Sequence, residues 1–167
     1  PLNIQLILSE EQQSMFISTV GNINIFSGFA SMYVSMAFAL FCIAKKRSFQ
    51  IGGIVGIVIG MGGLIAGNSD SGFLGIIVLC LFFLVLFHIQ KRFLRKWVYG
   101  IILILASSGL MGVLQIIAGD HAIAYKGGFA EMFANEKLLI VAAILGICYP
   151  LVLKGMKFLR ERHFTKK

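Results

Sequence analysis

Charged side chains are missing from five long stretches of this chain: Gln12 to Ala44, Ser48 to Ser69, Ser71 to Gln90, Trp97 to Gly119, and Leu138 to Leu153. A helix needs about 20 apolar residues to cross the hydrocarbon core of a bilayer. The gaps therefore predict an all-α fold, a polytopic transmembrane bundle with five spans at about 25–44, 49–66, 71–89, 98–118 and 138–153. Proline and charge are scarce overall: 2 Pro and 13% charged residues leave little material for long solvated loops. The 58% of hydrophobic residues and the mean hydropathy of +0.90 point the same way, since a soluble domain carries less.

Other absences narrow the function. No acid, Lys or Arg lies mid-span, which weighs against an ion pump or proton-coupled transporter, since these need a titratable relay in the membrane. The three cysteines, Cys42, Cys80 and Cys148, fall within predicted spans. An odd count there suits small apolar thiols, and no histidine stands near them at ligand spacing. Neither a metal nor any other cofactor is implied. The net charge of +8 lacks the basic stripe interleaved with exposed aromatics that nucleic-acid binding uses.

What is present is charge at the ends of the spans. Lys45, Lys46 and Arg47 fill the first connection, and Lys91, Arg92, Arg95 and Lys96 the third. Lys154, Lys157, Arg160, Arg162, Lys166 and Lys167 fill the tail. The other side holds only Lys126 and Lys137 of the basic residues. The positive-inside rule then sets the N-terminus outside and the C-terminus in the cytoplasm. Residues 1–24 are expected to be an external segment, with a short interfacial helix from about Glu10 to Ile17 started by a Ser9-to-Gln12 capping box. Residues 25–153 would form the transmembrane domain and 154–167 a basic cytoplasmic tail. An external start at Pro1 without a leader suggests the C-terminal part of a larger protein whose earlier helices are its partners.

Gly52, Gly56 and Gly60 recur every four residues in the second span. Such a face lets another backbone approach closely, so this helix is expected to be central. Pro150 predicts a kink in the last span, and Asn135 a cap at its start.

Polar residues gather at the outer surface in three places. Asn22 and Asn24 stand at the mouth of the first span, where their amides could bind hydroxyls or phosphate oxygens, or simply cap the helix. Asn68, Ser69 and Asp70 form the next outer turn, and Asp70 could be a base, a cation ligand or a cap that suits the helix dipole. Asp120, His121 and Lys126 lie in the last outer loop, where His121 could take a proton from a hydroxyl or be a solvated loop residue.

The run Phe16-Ile-Ser-Thr-Val-Gly-Asn-Ile-Asn24, one span, a basic turn, a second span and the turn Gly67-Asn-Ser-Asp-Ser-Gly-Phe-Leu-Gly75 resembles the O-antigen ligase and polymerase superfamily, whose members show a "TFGNxN" segment and a later "GSRGAWLG"-like turn. The match spans about Phe16 to Leu84, with Gly21 and Ser69 separated by 48 positions. The Ser-Asp variant of the turn looks most like Gram-positive members. The resemblance implies a multi-pass protein of the bacterial cytoplasmic membrane and a glycosyltransferase of the GT-C type. Such an enzyme moves a saccharide from a polyprenyl diphosphate carrier to an acceptor hydroxyl at the outer leaflet, without metal or nucleotide sugar. Asn22, Asn24, Asn68, Ser69 and Lys126 would then bind substrate, with His121 and Asp70 catalytic. Where the family has an arginine for the diphosphate, this chain has Asp70. That departure keeps open a non-catalytic relative that binds lipid-linked glycan or scaffolds envelope assembly. A small-molecule permease is disfavoured by the charge-free spans.

Overall fold

The computed structural model describes residues 23–89, 91–119 and 128–164. Their order is α1 (Ile23–Ile43), α2 (Arg47–Gly67), α3 (Asp70–Ile89), α4 (Lys91–Ala118), α5 (Gly128–Phe133) and α6 (Lys137–Phe164). No strand occurs among the described residues. Helices are what lipid demands, because every backbone N–H and C=O must find its partner inside the segment. Among the described residues four stretches are long and apolar enough to cross a membrane: Asn24–Ile43, Arg47–Gly67, Phe93–Ala118 and Lys137–Gly155. The helix expected as the third of five spans, α3, is 20 residues long, with a shorter apolar part at Asp70–Leu86.

Close contacts give the direction of each helix. Gly53 of α2 lies against Ala37 and Phe41 of α1, while Gly67 lies against Phe26 and Ser27, so α1 and α2 are antiparallel. Gly72 and Gly75 of α3 meet Ser27 and Ser31 of α1, so α3 runs parallel to α1. Gly112 of α4 meets Asn135 and Glu136, and Tyr99 meets Tyr149, so α4 and α6 are antiparallel. The bundle thus has two unlike ends. One carries Lys45, Lys46, Arg95, Lys96 and Lys154; the other carries Asn24, Asn68 to Ser71 and the α5 region.

The core lies where α1, α2, α3 and α4 meet. Phe38 of α1 is 2% exposed, packs 5.8 Å from the Phe83 ring of α3, and fills the space left by Gly100 of α4. Ile57, Met61, Leu64 and Ile65 of α2, with Phe73 and Ile76 of α3, complete it. A helix at this centre needs small residues on its approach face. On α2 that face is Gly53, Gly56 and Gly60: a methyl at Gly53 would sit 2.8 Å from the Phe41 backbone nitrogen, and one at Gly60 would sit 2.5 Å from Val34. Gly52, the expected first member of the stripe, instead faces open space. The helix is packed against α1 and α4 as a glycine-rich central helix should be, in a register one residue away at its start.

A second close approach joins α4 to the turn before α6. Methyls at Gly109 and Gly112 would strike the backbones of Leu139 and Glu136. Asn135 caps α6 as the sequence predicts, its Oδ1 accepting the Lys137 N–H at 2.9 Å. α6 passes through Pro150 and carries on to Phe164. Its outer face, including Ile140, Ile144 and Ile147, is exposed, as befits a helix turned toward lipid.

Two side chains tie the basic end together. Gln50 Nε2 and Lys96 Nζ both donate to the Ala44 carbonyl, at 2.9 and 2.8 Å. That carbonyl is one of the acceptors a helix end leaves over.

Candidate functional site

The site is built at the end opposite the basic clusters, beginning with the stop of α2. Asn68 takes the left-handed conformation, φ 49° and ψ 44°, and its N–H bonds the Ile65 carbonyl at 3.1 Å. Asparagine tolerates that conformation better than most side chains, which ends the helix within one residue. Ser69 follows, 7% exposed, and α3 starts at Asp70.

Ser69 Oγ donates to Asn24 Oδ1 at 2.9 Å, and it lies 2.9 Å from Ser71 Oγ. Asn24 sits in the first turn of α1, so this small network fastens α1 to the α2–α3 turn. One turn deeper, Ser27 is fully buried, and its Oγ has no hydrogen-bond partner among the described residues.

Asp70 reaches the other way. Its Oδ1 accepts the backbone N–H of Phe129 at 2.7 Å. Gly128 makes room for it: its φ is +84°, and a methyl there would lie 2.5 Å from Asp70 Oδ2. The short helix α5 is held beneath by Ala130, 1% exposed, and by Phe133, whose ring stacks on Phe73 at 4.9 Å. Between α3 and α5 lies an open cleft of about 490 Å³, lined by Asp70, Gly128, Phe129, Glu131, Met132 and Asn135.

Of the sequence-predicted residues, Asn24, Asn68, Ser69 and Asp70 stand together at this end. Asn22, His121 and Lys126 lie outside the described residues. Sequence reasoning missed α5 with Glu131, and it read Asn135 only as a cap. Their signal was weak: a pair of glycines before Phe129 and one carboxylate in a loop.

No protein-family model, no curated protein and no solved structure matches this chain. The cleft's own chemistry is the guide. Among the described residues no group of His, Cys, Asp and Glu could hold a metal ion. The lining offers two carboxylates and an amide, with the faces of Phe129 and Met132 beside them. Carboxylates accept hydrogen bonds from hydroxyls, and an amide both donates and accepts. Among the described residues the lining holds carboxylates and no Lys or Arg, and carboxylates repel a phosphate.

Proposed function

We propose that this chain belongs to a multi-pass protein of the bacterial cytoplasmic membrane that binds a lipid-linked saccharide at the outer leaflet. With five crossings and the basic end in the cytoplasm, the cleft would lie at the outer surface. The observation that carries the proposal is the lining itself: Asp70, Glu131 and Asn135 around an apolar patch of Phe129 and Met132. That is a set for hydroxyls on one face of a sugar and C–H groups on the other. A polyprenyl carrier keeps such a headgroup at this depth.

Two roles share the binding step. In the O-antigen ligase or polymerase-like role, the saccharide leaves its diphosphate carrier for an acceptor hydroxyl, and His121 would be the base. In the second, the protein is a non-catalytic relative that holds the glycan. The Asp70 bond to Phe129 favours the second role: a carboxylate that fastens a loop is poorly placed to activate a hydroxyl.

The test is binding of a polyprenyl diphosphate-linked oligosaccharide to the protein in nanodiscs. Glu131→Gln should weaken it by roughly tenfold, the size of a hydrogen bond to a charged group. Unchanged binding by Glu131→Gln and Asn135→Ala alike would remove the cleft from the account. Loss of surface polysaccharide on His121→Ala with binding intact would restore the catalytic role.

A further inference from the structure

At the basic end, α1 and α2 diverge around a second groove, of about 760 Å³ and almost wholly apolar. It is lined by Met36, Ala39, Leu40 and Ile43 of α1 and Phe49 of α2. Phe49 is 54% exposed and Ile43 52%, so the groove is open along the helices toward the surrounding phase. Lys45 and Lys46 stand at its mouth, in the turn that Gln50 and Lys96 fix through the Ala44 carbonyl. The acids whose side chains are described, Asp70, Glu131 and Glu136, all lie at the opposite end of the bundle.

An apolar groove recognises nothing by itself in a membrane, since lipid tails are as apolar outside it as within. Selectivity has to come from the two ammonium groups at the mouth. They face the level where a phospholipid's phosphate lies when its chains run beside α1. Basic pockets between membrane helices suit anionic headgroups for this reason.

We propose that this groove seats an anionic phospholipid, with one acyl chain along Met36, Leu40 and Phe49 and its headgroup against Lys45 and Lys46. The inference is independent of the saccharide cleft, which lies at the other end.

The test uses the purified protein in phosphatidylcholine nanodiscs containing a minor share of phosphatidylglycerol with the same acyl chains. Lipids retained on release are counted by native mass spectrometry. A preference for phosphatidylglycerol of about 25-fold is expected, at roughly fivefold for each of the two lysines. Lys45→Gln/Lys46→Gln should lose most of it, while Lys154→Gln, a basic side chain outside the groove, should keep it. Ala39→Phe fills the groove and leaves both charges; it should also lose the retained lipid. Excess inorganic phosphate, which has no tail, should leave the lipid bound. Equal retention of the two lipids by the unmodified protein overturns the proposal. So does an undiminished preference in the double-lysine or Ala39→Phe variant, or displacement by phosphate.

Discussion

The Ser69 hydroxyl bonds the Asn24 side-chain oxygen at 2.9 Å across 45 positions of sequence. It joins the first turn of α1 to the stop between α2 and α3, at the end of the bundle opposite the basic clusters. Removing either partner should cost about 1 kcal/mol. Because they share one bond, Asn24→Ala and Ser69→Ala together should cost less than their sum. Unfolding of the two single variants and the double in detergent micelles measures this. Strict additivity would show that the bond holds nothing.

Asp70 and Gly128 form a second clasp. Alanine at Gly128 must keep a φ of +84° and place its methyl against the Asp70 carboxylate. The left-handed backbone alone costs about 1–2 kcal/mol. Gly128→Ala should therefore release α5, and Asp70→Ala should release it by removing the acceptor of the Phe129 N–H. Hydrogen exchange over 128–133 should accelerate in both variants. Protection equal to that of the unmodified protein would contradict the clasp.

Neighbouring glycines of α2 should behave oppositely. Gly52 faces open space, so Gly52→Ala gains helix propensity, up to about 1 kcal/mol. Gly53 touches the α1 backbone, so Gly53→Ala should destabilise by about 1–3 kcal/mol through overpacking. Thermal unfolding of the two variants side by side decides it, and matching shifts would refute the register.

Much of the helical plan is legible because charge is so costly in lipid that its absence marks each long helix. The borders are less legible. α4 starts at Lys91 and α6 reaches Phe164, since helical hydrogen bonds continue through charged residues once these leave the apolar layer. A four-residue glycine period shows that α2 has a close-packed face, but period alone does not say whether Gly52 or Gly53 begins it. Phe41 and Ala37 of the partner helix decide that. The union of Asn24 with Ser69 follows from the antiparallel pairing of α1 and α2, and that pairing follows from short turns. The docking of α5 on Asp70 depends on a contact between residues 59 apart that no periodicity announces.

The central claim is that Ser71, Asp70 and Asn135 share one membrane surface, opposite Lys45. Single cysteines placed at Ser71, Asn135 and Lys45, with Cys42, Cys80 and Cys148 replaced by alanine, can be probed with a membrane-impermeant maleimide. Intact cells should label Ser71→Cys and Asn135→Cys, and Lys45→Cys should react only after lysis. Labelling of Lys45→Cys in intact cells, or opposite outcomes for Ser71→Cys and Asn135→Cys, would contradict the account.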